Sequence, residues 1–211
     1  MRPRAARRRR KGECPPAGGR AVPAAAAVLV CASILGASPG SSFAQPEPHP
    51  SFEQDVKASF IYTVAKFVDW PEGSFGGPAA PMVFAILGDD PIEEALLRAV
   101  EGKRVNGHPV TVVKAESIDD LAGCHVLFVG RSEAPRLREV LGRLRGSTTL
   151  TVSEADRFVQ HGGVMGLRLD QNMIRFEVNV DAAERSHLAI SSKILKLGKV
   201  VREKKRAPGA S

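Results

Sequence analysis

Side chains able to do chemistry are sparse in this 211-residue chain, and their spacing argues against a catalytic centre. The five histidines are His49, His108, His125, His161 and His187, and no two stand at metal-ligand spacing. Cys124 and His125 are adjacent in an apolar run, CHVLFV. On a strand their side chains leave opposite faces, so they cannot easily share an ion. No GxSxG elbow and no Walker loop occur. Asp89 and Asp90 follow the apolar run MVFAIL, where two carboxylates repel a phosphate. They have the look of a receiver's acidic pair. The later strand where a receiver keeps its phospho-accepting Asp instead reads Phe128-Val129-Gly130-Arg131-Ser132. No catalytic residue, metal or cofactor is expected, and the expected function is binding rather than catalysis.

Three polar or aromatic groups remain as candidates. Arg131 and Ser132 stand at a predicted helix start, where an anion could sit. A capped helix with a surface Arg is the plainer reading. Arg168, Arg175, Glu177 and Asn179 fall on the polar face of a predicted hairpin and are candidate contacts for a partner or ligand. Cross-strand ion pairing would also account for them. Tyr62 and Lys66 share one face of the first predicted helix, and Trp70 ends it. This end is a candidate partner contact, with Trp70 as anchor or as a cap on the core.

The elements that must position these groups follow from apolar periodicity. Val56, Phe60, Val64, Phe67 and Val68 recur at helical spacing, Ile61 and Ala65 widen the stripe, and Pro71 stops a helix at Trp70. MVFAIL (82–87) and CHVLFV (124–129) are continuous apolar runs, as strands buried on both faces would be. Asp90, Pro91 and Glu93 start a helix through about Val100. Asn106-Gly107 signals a hairpin ahead of a strand at Val110–Val113. Glu133–Leu144 reads as a helix, and Leu150–Val152 as a short strand leading to a short helix through about Gln160. Leu167 and Leu169 alternate with Arg168 and Asp170. After a turn at Gln171-Asn172, apolar Ile174, Phe176, Val178 and Val180 alternate with Arg175, Glu177 and Asn179. Ser191–Val201 reads as a last helix with Ile194, Leu197 and Val201 on one face and lysines on another. The order predicts an α/β domain: a three-layer sandwich, its mixed, mostly parallel sheet carrying a C-terminal antiparallel hairpin, with helices on both faces.

The N-terminus predicts a separate fate. Residues 1–44 combine a basic stretch, an Ala/Val/Leu run and Ser42-Phe43-Ala44, the pattern of an export signal cleaved after Ala44. Removing its eight Lys/Arg and one Glu from the chain's 30 basic and 23 acidic residues leaves 22 of each. The basic character that would suggest nucleic acid therefore belongs to the leader, and nucleic acid is not an expected partner. Cys14 and Cys31 leave with it, so Cys124 alone remains and cannot form an intramolecular disulfide. Residues 45–50 read as an entry arm, 51–201 as one domain and 202–211 as a flexible tail.

Four blocks carry a family resemblance. EQDVKASFIYTVAKFVDWP resembles the first helix of the YfiR family of periplasmic proteins. LTVSEADRFVQHGG, IRFEVNVDAA and AISSKILKL resemble its second half, in order, so the likeness spans roughly Ser51 to Val201. The resemblance implies an exported, non-catalytic domain in the periplasm. It implies a repressor that binds an inner-membrane diguanylate cyclase, lowers cyclic di-GMP and restrains biofilm formation. An outer-membrane lipoprotein that sequesters the repressor and a homodimeric state are implied in the same way. The best-known members carry redox-responsive disulfides, and a single Cys124 departs from that pattern. The alternative is a periplasmic small-ligand sensor, with Arg175, Glu177 and Asn179 lining its pocket.

Overall fold

The computed structural model describes residues 50–171 and 173–203. The expected leader and its cleavage point, the entry arm up to residue 49, Asn172 of the hairpin turn and residues 204–211 lie outside the described residues. Helix α1 spans Pro50–Ala65, and a short strand β1 (Val68–Asp69) follows. Next come β2 (Met82–Leu87), α2 (Ile92–Val100), the hairpin β3 (Arg104–Val105) and β4 (His108–Ala115), and β5 (Val126–Val129). Helix α3 (Leu137–Arg143), β6 (Leu150–Ser153), β7 (Met165–Asp170) and β8 (Met173–Asn179) complete the middle. The last elements of the described residues are α4 (Val180–Arg185), β9 (Ala189–Ile190), α5 (Ser192–Leu195) and β10 (Lys199–Val201).

Eight strands form one mixed sheet in the order β10-β8-β7-β6-β5-β2-β4-β3. The β4, β2, β5, β6 and β7 neighbours pair in parallel, while β7 and β8 form the antiparallel hairpin. The runs MVFAIL and VLFV lie at its centre, where helices cover both faces and exclude water. Met82, Phe84, Ile86, Val126 and Phe128 face the layer of α1, α2 and α4. Ala85, Leu87, Leu127 and Val129 face α3 with Leu121 and Phe158. The three-layer α/β sandwich expected from the sequence is the observed fold. Asn106 and Gly107 both have positive φ, the tight turn that their order predicts, and β3 and β4 flank it directly. Asp90 caps α2 by accepting the Ile92 N–H at 3.0 Å.

Several expected element ends are corrected. Helix α1 ends at Ala65 and does not run to Trp70. The Lys66 and Phe67 N–H groups close tight turns onto Thr63 and Val64, and Val68–Asp69 then pairs antiparallel with β9. A strand partner distant in sequence thus outcompetes another helical turn. Of the expected stripe of α1, Ile61, Val64 and Ala65 are buried while Val56 and Phe60 are half-buried, and Lys57 and Ala58 are buried beside them.

The final helix is only Ser192–Leu195, and Lys199–Val201 is instead a strand parallel to β8. A Cβ at Gly198 would overlap the Phe176 ring, so glycine lets the backbone lie flat against it. β-branched Val200 and Val201 then fill the open sheet edge. Leu197, expected in the core, is 77% exposed.

The segment read as the helix Glu133–Leu144 begins as a 3-10 turn over Arg131–Arg136 with Pro135 inside, and α-helix forms only from Leu137. At the other end, the chain stays anchored two residues past Val201. Arg202 pairs with Asp181 at 3.3 Å, and Glu203 with Arg185 at 2.6 Å.

Candidate functional site

The hairpin presents its polar face to segment 154–160, and a cleft of about 620 Å3 lies between them. Arg168, Arg175 and Glu177 line it, with Arg131, Arg157 and Lys199 at its sides. Period-two alternation puts 175 and 177 on one face, and antiparallel register sets Arg168 directly opposite Arg175. These two like charges cannot pair with each other, and the cross-strand ion pairs of this face are Arg175 with Asp170 and Glu177 with Lys199. Arg175 reaches only Asp170, at 3.8 Å, and among the described residues Arg168 has no ion pair. Glu177 sits across from Gly166 and binds Lys199 at 2.7 Å.

Asn179 shares the parity of this face but not its exposure. It is completely buried, because the 3-10 turn Val159–His161 and Glu203 roof that end. Its amide donates to Val159 O at 2.8 Å, and its Oδ1 accepts the Ala182 N–H at 2.9 Å, capping α4. Asn179 is thus a structural cap in place of the expected exposed contact.

A charged group that the sequence pattern did not reveal lies behind the cleft. Lys57 is 2% exposed and sits between the carboxylates of Glu53 and Glu154. Glu154, itself only 7% exposed, follows β6 and also faces Arg131 at 3.7 Å. A lysine in an amphipathic helix reads as solvated, and only the sheet's position relative to α1 buries this one. Ser132, a candidate helix cap, accepts the Asp89 N–H instead, at 3.1 Å, and no α-helix starts there.

The second group of candidates gathers at the opposite edge of the parallel strands. Tyr62 donates its hydroxyl proton to Arg104 O at 3.1 Å and ties α1 to β3. The ammonium groups of Lys66 and Lys103 lie 5.6 and 5.0 Å from its ring centroid. Trp70 is half-buried and directs its N–H to Ala65 O at 3.4 Å, on the last turn of α1. Its ring meets Phe75 and His125 edge-on. Phe75 is sandwiched between His108 at 3.8 Å and His125 at 4.5 Å, with nearly parallel rings.

His125 is buried and its tautomer is set by its partners. Nδ1 accepts the Val83 N–H at 3.1 Å, so Nε2 carries the proton and donates it to Ser74 O at 3.0 Å. Burial pushes its pKa below the ordinary imidazole value, the Ser74 carbonyl offsets part of this, and nearby His108 lowers it further. Cys124 is buried and unpaired, and burial raises its thiol pKa. Among the described residues no group of three His, Cys, Asp or Glu side chains could hold a metal ion, and no helix is long and apolar enough to cross a membrane.

The seven predicted contacts thus separate. Tyr62, Lys66 and Trp70 cluster at the end of α1, Arg168, Arg175 and Glu177 line the hairpin cleft, and Asn179 is buried. Residues 54–199, nearly all of the described domain, match the sequence profile of the family described as YfiR/HmsC-like. No curated protein matches the chain.

Proposed function

We propose that this chain, which belongs to the YfiR/HmsC-like family, is a periplasmic regulator that represses an inner-membrane diguanylate cyclase by binding its periplasmic part. The family match over residues 54–199 carries this reading, since it spans the domain from α1 to the start of β10. The export pattern that ends at Ala44 supports a periplasmic location. In this reading cyclic di-GMP stays low while the regulator is free, and biofilm formation is restrained. An outer-membrane lipoprotein that sequesters the regulator would release the cyclase. The function requires a docking surface rather than a reactive group. The end of α1 offers one, because Trp70 and Tyr62 stay partly accessible beside Lys66 and Lys103.

The test is deletion of the gene with cyclic di-GMP measured, together with pull-down of the protein from solubilised membranes. Raised cyclic di-GMP and recovery of a membrane cyclase are expected. Unchanged cyclic di-GMP with no membrane partner refutes the cyclase reading. Trp70→Ala should abolish the pull-down with little change in melting temperature if Trp70 is an anchor. Loss of folding would instead assign Trp70 to the core.

A further inference from the structure

We propose that the cleft between the hairpin face and segment 154–160 binds a small, multiply charged oxyanion, a phosphate ester or polycarboxylate, gripped between Arg168 and Arg175. Directly opposed residues on paired strands have Cβ atoms about 4.5–5.5 Å apart, and like charges at that spacing destabilise a sheet. Arg168 and Arg175 are such a pair, set by the register that matches 165 with 178 and 170 with 173. This juxtaposition is unfavourable for the fold by itself, and an anion lying between the two would offset it.

The surrounding carboxylates do not fill that role. Glu177 is engaged by Lys199 at 2.7 Å, and the buried Glu154 by Lys57. Asp170 stands 3.8 Å from Arg175, beyond hydrogen-bond range, and both of these side chains are half-exposed. Asp156, the remaining carboxylate of the lining, lies on the exposed lip. Arg157, also on the lip, is held at φ 58°. Non-glycine residues seldom adopt that left-handed conformation, and where it persists it often marks a binding site. A guanidinium fork matches the paired oxygens of a phosphate or carboxylate, and two forks facing each other suit an ion with more than one charge. The cleft, about 620 Å3, has the size of a small-molecule site.

Calorimetry and thermal shift on the purified full-length protein test this, with inorganic phosphate and citrate as probes and sodium chloride at equal ionic strength as control. Saturable binding of phosphate, citrate or both is expected, with a rise in melting temperature that chloride does not produce. R168Q and R175Q should each weaken binding by about tenfold or more, the loss of a charge-assisted pair. R145Q, which lies on a different cleft, should bind as the parent does. Without ligand, R168Q should melt no lower than the parent, because the repulsion is relieved. A purely structural Arg168 would shift it the other way. Absence of saturable binding, binding unchanged in R168Q and R175Q, or a lower unliganded melting temperature of R168Q overturns the proposal. These readouts are independent of cyclase repression, so either idea can fail while the other stands.

Discussion

Lys57→Met removes a charge that the fold has almost wholly taken out of water. Lys57 is 2% exposed and lies between the carboxylates of Glu53, 37% exposed, and Glu154, 7% exposed. After the substitution Glu53 can turn to solvent, but Glu154 keeps only the 3.7 Å contact to Arg131. Breaking a buried pair by removing one partner costs about 3–5 kcal/mol. The exposure of Glu53 and the residual Arg131 contact place the expected loss near the lower end, about 3 kcal/mol. For a domain of this size that lowers the melting temperature by roughly 6–12 °C. Glu154→Gln leaves Lys57 paired with Glu53 and should cost less, about 1–2 kcal/mol. The double variant strands no buried charge, so its loss should fall short of the sum by about 2 kcal/mol. Urea unfolding followed by the fluorescence of Trp70, the only tryptophan, and by circular dichroism measures all three, provided the denaturant slope is unchanged. A K57M protein within 1 kcal/mol of the parent, or strictly additive losses, would show that Lys57 is not part of a desolvated pair.

His125 folds in its neutral form, with a pKa depressed by burial, whereas the unfolded chain takes up a proton near the ordinary imidazole value of 6.5. Its contribution is therefore complete above about pH 6.5 and is lost as pH falls through the lower folded value. The urea midpoint should drop between pH 8 and pH 5.5, and drop less in His125→Phe; a flat parent profile contradicts this. Glu203, held below the usual carboxylate range by Arg185, acts only at lower pH and does not mask the effect. Asn179→Ala loses a helix cap and one of the two hydrogen bonds to the Val159 carbonyl, which keeps the Gly162 N–H, for about 1–3 kcal/mol in the same unfolding assay; a loss below about 0.5 kcal/mol would contradict the capping role. Cys124 is the free cysteine among the described residues and is buried, so the melting temperature of the chain from residue 45 on should be the same with and without reductant. A thiol reagent should label it only after unfolding, and rapid labelling of the native protein would refute its burial.

Central strands were legible because unbroken apolar runs such as MVFAIL have no stable place except between two covered faces. The Asn106-Gly107 turn was legible because few residues tolerate positive φ. Element ends were not. The tract from Lys66 to Trp70 continues the helical pattern, yet Val68–Asp69 pairs with Ala189–Ile190, more than a hundred residues away. Lysines spaced along Ser191–Val201 read as a helix face, yet Lys199 serves a strand and an ion pair with Glu177. In both places an open partner elsewhere in the fold overrode local periodicity.

The candidate site divides in the same way. Alternation alone assigned Arg168, Arg175 and Glu177 to one polar face, since side-chain direction on a strand is a local property of the backbone. The sequence by itself thus determined the α/β class, the sheet's central strands, the scarcity of catalytic groupings and the family blocks. Only the tertiary structure set Arg168 against Arg175, roofed Asn179, buried Lys57 between two carboxylates and stacked His108 and His125 on Phe75. Register, burial and ion pairing depend on which distant segment lies opposite, and no local pattern encodes that.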